Sequence, residues 1–224
     1  MRKLISFFVV FWLPISPLYA KPKAPAAMGY FEWNACGEPD TSPDDTISYC
    51  GTILRVSLGS SDFPRIISLL IDIGGAYRQK GEEADARKHF DAAVRIATQR
   101  LAIFPDDPRM LSERCWVRAV ANIELDAAFG DCERAHQLRP DNALISGRLG
   151  FVLYRLGRYR EALEAYSDSL KGMLVDAGFQ YMRGVVKRKL GDDSGGALDI
   201  RAAIDRNSKA VAKYGIYGVE RIEP

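Results

Sequence analysis

A chain of 224 residues with 31 basic and 29 acidic side chains, 47% of it hydrophobic, has material for one compact domain or one continuous repeat array. So even a charge balance lacks the electrostatic footprint of a phosphate-backbone binder, which argues against nucleic acid as a partner. Two histidines leave little for a catalytic triad or a histidine-rich metal centre.

The chain begins with Arg2 and Lys3, an apolar run from Leu4 to Leu13, Pro14, Pro17 and the small residue Ala20. This order predicts a secretory signal peptide over residues 1–20, cut after Ala20 or alternatively after Ala26. The run is shorter than the ~20 apolar residues a helical span requires, so the processed protein is expected not to span a membrane; a retained anchor is the alternative. Removing the leader takes two of the 31 basic residues and none of the 29 acidic ones, leaving a formally neutral chain. A periplasmic or secreted location follows. There, four cysteines point to disulfides, with three pairings open.

Residues 21–29 form a Pro/Ala/Lys tether without periodicity. Residues 30–60 predict a degenerate hairpin: an aromatic segment with Trp33, a turn-rich stretch from Gly37 to Asp45, and a helix over Thr46–Ser57 with Asp44 and Asp45 favouring its start. Leu58 to Pro64 breaks the pattern. Residues 64–207 then carry four similar units starting near 67, 109, 143 and 177. The last three starts are 34 residues apart, and the first gap is eight residues longer, a surplus expected as two extra turns of the helix Asp85–Ile103. Within a unit a large apolar residue and a small one precede an aromatic, and later come a small, a large and a small residue: Ile73, Gly74, Tyr77, Ala86, Phe90, Ala93, then Leu149, Gly150, Leu153, Ala162, Tyr166. Small residues let paired helices approach while bulky ones fill between them. Trp116 occupies a small-residue place when its unit is counted from Arg109, so that hairpin should splay or bury Trp116 against a neighbour. Residues 208–224 supply a helix over Ser208–Tyr214, expected to cap the open end of the stack, and a tail.

This period and pattern resemble the tetratricopeptide repeat, and the run Arg114-Cys115-Trp116, Asp131-Cys132, Arg139-Pro140 resembles small exported bacterial repeat proteins with paired cysteines. The resemblance implies an all-α, right-handed solenoid of helical hairpins whose first helices line a concave groove. It also implies that the groove binds a protein or extended peptide. The groove side chains would include Arg78, Gln79, Glu113, Arg148, Phe151, Tyr154, Arg155, Met182, Val185, Arg188 and Lys189. Basic and aromatic together, they suit a peptide of acidic or carboxylate-terminal character. Replacing Arg148, Arg155 and Arg188 by alanine is then expected to weaken capture and leave the melting temperature almost unchanged. Some relatives in the family clamp a chaperone's terminal carboxylate; the matching places here hold Ile71, Gly75, Arg114, Leu144 and Arg148, of which only the arginines could serve, so that activity is not carried over.

No catalytic constellation emerges. His89 and His136 sit in second helices beside packing residues, and the paired carboxylates at 82–83, 106–107 and 192–193 fit helix starts better than general acid/base chemistry. The glycines lie in turns or packing positions rather than in a phosphate loop. No enzyme activity and no cofactor or metal is expected: positions 36, 50, 115 and 132 lack the close spacing of zinc modules. In antiparallel helices, residues equidistant from the turn lie level. The midpoints of 36 and 50 and of 115 and 132 both fall in expected turns, which predicts Cys36–Cys50 and Cys115–Cys132. The expected function is an exported scaffold for protein or peptide partners in the cell envelope; the alternatives are an oligomerising structural component and an enzyme or enzyme subunit.

Overall fold

A computed structural model describes residues 35–171 and 175–222. The expected leader, the tether, residues 30–34 of the first hairpin and the last two residues lie outside the described residues. Within them the chain is helical, with no strand. The helices are α1 Pro43–Ser57, α2 Phe63–Gln79, α3 Glu83–Ile103, α4 Pro108–Ala121, α5 Leu125–Leu138, α6 Ala143–Arg155, α7 Tyr159–Ser169, α8 Ala177–Lys189 and α9 Asp193–Ile216.

A short acceptor side chain starts α1 and every first helix of a repeat. Ser42, Asp62, Asp107, Asn142 and Asp176 each accept a hydrogen bond from a backbone N–H of the first turn, satisfying donors that otherwise have no partner. Proline stands one residue after the cap at Pro43 and Pro108 and two after it at Pro64, in the first turn, where its missing N–H has no helical partner to lose. This moves the start of α1 to Pro43, three residues before the expected Thr46, because Ser42 caps it. The surplus eight residues of the first repeat do extend its second helix: α3 has 21 residues against 14 in α5 and 11 in α7.

The hairpins are α2/α3, α4/α5, α6/α7 and α8/α9, and each second helix also packs on the first helix of the next hairpin. The first helices α2, α4, α6 and α8 contact one another in succession and line one face of the array. Within a hairpin the contact is backbone-close. A Cβ at Gly150 would stand 2.9 Å from the Tyr166 ring, and the same relation joins Gly74 to Phe90 and Gly184 to Ile200. Phe90, Tyr166 and Ile200 are fully buried, so each small residue makes the room that a large one fills.

The hairpin α4/α5 is built differently. Cys115 and Cys132, joined by a disulfide with Cα atoms 5.5 Å apart, occupy the equivalent contact, and Cys36–Cys50 ties residues 36–42 to α1 with Cα atoms 5.0 Å apart. Both expected pairings are formed. Beside the buried bridge, Asp131 receives a bidentate pair from Arg114 (2.8 and 2.6 Å) and a further bond from Arg118 (2.6 Å). The run Arg114-Cys115-Trp116 with Asp131-Cys132 is thus one fastening between two helices, an ion pair and a covalent bridge side by side. Asp199 in α9 repeats the ionic half with Arg183 and Lys187.

Candidate functional site

Because Cys115 stands where Gly74, Gly150 and Gly184 stand in the other hairpins, α4 is offset by one residue from a count begun at Arg109. Its turn shows why. The turn in α6/α7 reverses at Gly157 with φ +73°, whereas the α4/α5 turn has no glycine and places Asn122 (φ 58°) and Glu124 (φ 46°) in the left-handed region. Trp116 is therefore the counterpart of Phe151, Val185 and Gly75, one residue past the contact and aimed at the inner face. The hairpin does not splay; Trp116 lies 5.2 Å from the Phe151 ring.

That inner face is covered by the chain's own C-terminus. Asn207, with extended φ and ψ of −162° and 91°, breaks α9, and residues 208–222 run back across the first helices as a strap. The strap was expected to cap the open end of the stack. Instead its buried side chains Val211, Tyr214, Tyr217 and Val219 sit on the array's aromatic face, which is too apolar to leave in water. Tyr214 meets the Phe151 ring at 5.6 Å and the Tyr181 ring at 6.2 Å. Tyr217 stands edge-on to Trp116 at 5.4 Å, and Ile216 packs where a Cβ on Gly75 would be only 2.9 Å away. Burial pushes the Tyr214 and Tyr217 phenols well above their ordinary pKa.

Charges hold both ends of the strap. Lys213 pairs with Asp72 of α2 at 3.1 Å, and Lys209 with Glu38 and Asp40 at 3.2 and 3.0 Å. Glu38 and Asp40 lie in the segment tied down by Cys36–Cys50. Burial raises the Asp72 carboxyl above its usual pKa despite the opposing pull of Lys213. At the other end Arg155 donates to the Tyr217 carbonyl, a cation closing the C-terminus of the strap helix.

The expected groove cations are largely committed inside the protein. Arg78 donates to the Val120 and Ala121 carbonyls at 2.9 and 3.1 Å, capping α4 from the neighbouring repeat. Arg148 forms a nearly enclosed pair with Glu113, each side chain about a tenth exposed, and also donates to Ser112 Oγ. Arg155 serves the strap and lies 5.0 Å over Phe151; burial lowers the pKa of both Arg78 and Arg155. Phe151, Met182 and Val185 are fully buried, Tyr154 is half-buried, Arg188 is partly buried, and Gln79 and Lys189 are exposed. This corrects the expectation of a solvent-facing basic rim that tolerates removal of its arginines. Arg114, one of the possible clamp residues, is spent on Asp131.

His89 donates through Nδ1–H to the Asp85 carbonyl (2.8 Å) and stacks on Tyr77 at 5.1 Å. His136 Nδ1 lies 3.4 Å from Ser146 Oγ. Of the residues that matter to this face, sequence reasoning missed Asp72, Tyr181, Tyr214 and Tyr217, while Trp116, expected to splay its hairpin or pack against a neighbour, packs on Phe151 of the next repeat. The signal for Trp116 was its misfit to a small-residue place; the other four carried none.

No family model matches the chain. Among curated proteins it is 32% identical over 100 residues to the small glutamine-rich tetratricopeptide repeat-containing protein 2 of Mycosarcoma maydis, covering 44% of this chain and 27% of that protein. It is 29% identical over 122 residues to the heat-shock protein cognate co-chaperone sgt12 of Aspergillus fumigatus, covering 54% of this chain and 36% of that protein. The chain thus spans about a quarter to a third of the length of the curated relatives it matches. Solved structures it resembles include two of MamA. One has TM-score 0.47 and 15% identity over 80% of this chain and 99% of that one. The other, from Desulfovibrio magneticus, has the same score and identity over 80% and 96%. No helix of the described residues is long and apolar enough to cross a membrane. The near-34-residue spacing, the small-on-large contacts within α2/α3, α6/α7 and α8/α9 and the likeness to curated repeat proteins together give this chain the architecture of a tetratricopeptide-repeat solenoid.

Proposed function

We propose that the protein is an exported scaffold that holds a protein or peptide partner in the cell envelope, in the periplasm or beyond it. The observation that carries the reading is the pair of disulfides, with Cys50, Cys115 and Cys132 fully buried. Such bridges persist where the surroundings are oxidising, in agreement with the leader-like order of residues 1–20. An array of stacked hairpins offers an extended surface and no chemistry of its own, which favours holding over catalysis. The near-neutral charge favours a protein over a nucleic acid.

Two measurements test it. Fractionation of cells with non-reducing peptide mapping should find the shortened chain outside the cytoplasm with both bridges intact. Affinity capture from envelope extract should retain a defined partner that cytoplasmic extract does not supply. A full-length chain in the cytoplasm with free thiols would refute the export reading, and an empty capture from every fraction would refute the scaffold.

A further inference from the structure

The geometry points to the concave face as a helix-binding site, with residues 208–222 as its resident, displaceable occupant. The partner it takes in trans is a basic amphipathic helix bearing paired tyrosines. This deepens the scaffold reading and rests on it only in treating the inner face as the partner surface.

Three observations support an occupant that is docked rather than built in. First, the strap joins the array through one break: Asn207 leaves the helical region, and residues 205–209 are all exposed. Second, the strap is one-sided. Val211, Tyr214, Tyr217 and Val219 face inward, while Ala212, Gly215, Gly218 and Glu220 are exposed, the division of an amphipathic ligand lying in a groove. Third, the fit is incomplete. An open cavity of about 520 Å³ remains beside the strap, bordered by Gln79, Tyr181, Ile204, Val211, Ile216 and Arg221, and another of about 220 Å³ lies between Lys213, Tyr214, Trp116 and Arg148.

The occupant also states what the face recognises. Trp116, Phe151 and Tyr181 receive Tyr214 and Tyr217, and Gly75 leaves room for an aliphatic side chain. Beyond them Asp72, Glu38 and Asp40 meet two lysines four residues apart. The charge preference is thus opposite to the acidic peptide that the arginines suggest in the sequence, because Arg78 and Arg148 are paired within the array, Arg155 meets the occupant's main chain, and the charge that meets the occupant's side chains is carboxylate. A tethered segment acts at an effective concentration on the order of millimolar, so a partner enters only by outcompeting the strap.

The probe is a labelled synthetic peptide with the sequence of residues 207–222, followed by fluorescence anisotropy. The full chain carrying Lys213→Ala and Tyr217→Ala should bind it at least about tenfold more tightly than the unaltered chain, since its strap competes less well. Peptides with Lys209→Glu and Lys213→Glu, or with Tyr214→Ala and Tyr217→Ala, should lose at least about tenfold in affinity for that variant. Equal affinity of both proteins, or indifference to charge reversal, would overturn the proposal. If the altered chain does not fold, hydrogen exchange on the unaltered protein decides. Amides of 208–217 should exchange at least about tenfold faster than those of 193–206, and equal protection overturns the proposal. Partner capture that succeeds while peptide exchange fails would leave the scaffold standing and move its binding surface to another face.

Discussion

Arg148→Ala is the sharpest test of the reassigned groove arginines. Arg148 reaches Glu113 through both terminal nitrogens, each 3.1 Å from a carboxylate oxygen, and Ser112 Oγ at 3.0 Å. The side chains are 11% and 9% exposed. Truncation leaves the Glu113 carboxylate enclosed without its cation, a change that costs about 3 kcal/mol or more. Loss of the guanidinium over Trp116, 5.7 Å from the ring, adds about 0.5 kcal/mol. In a domain of this size each kcal/mol lowers Tm by about 2–4 °C, so a fall of about 7–14 °C is expected. Arg148→Met combined with Glu113→Met should recover more than half of it, because replacing both charges by apolar groups removes the stranded carboxylate. Urea unfolding of the two single variants and the double variant, read by circular dichroism, gives the coupling energy directly. A loss under about 1 kcal/mol for Arg148→Ala would mean that water reaches Glu113 freely, and the argument for an internally committed arginine would fail.

Gly150→Val should destabilise by about 2–3 kcal/mol or more in the same assay, since even its Cβ would stand 2.9 Å from the Tyr166 ring; an unchanged midpoint would show that the α6/α7 contact is looser than described. Replacing Cys115 and Cys132 by alanine opens a 17-residue separation and should lower stability by about 3 kcal/mol on the chain-entropy argument, measured by urea midpoint. Burial acts to raise the Asp199 pKa, but hydrogen bonds from Arg183 and Lys187 outweigh it and leave the carboxyl below 3.8. Its stabilising contribution is therefore present above that value and lost as pH falls through the lowered one. Asp199→Asn should make acid unfolding shallower below pH 4, and an unaltered acid limb would remove Asp199 from the account.

Local patterns made the repeats readable. Gly150 beneath Tyr166 and Gly184 beneath Ile200 recur at a fixed spacing, and each is a contact within one hairpin. The offset of α4 was hidden because Asn122 and Glu124, rather than a glycine, take the left-handed turn positions; nothing in a count from Arg109 marks that. Asp72 meets Lys213, 141 positions away, and Glu113 meets Arg148, 35 positions away. Such pairings depend on the curvature of the whole array, so Arg148 reads as an ordinary surface cation in the sequence. The helix over Ser208–Tyr214 was legible as a helix. Its destination was not, since the face that receives it is assembled from α2, α4, α6 and α8.

A linear stack of hairpins touches only nearest neighbours, and its end units come apart independently. The strap alters that connectivity. Lys213 on Asp72 and Lys209 on Glu38 bind the last helix to the first repeat and to the disulfide-tied segment before it, turning an open row into a closed loop. With the strap seated, terminal units cannot fray without breaking contacts at the far end, so the array unfolds in one step rather than unit by unit. The closing contacts join residues up to 171 positions apart, which places them last in folding. A ligand that displaced the strap would reopen the row and restore independent fraying at both ends.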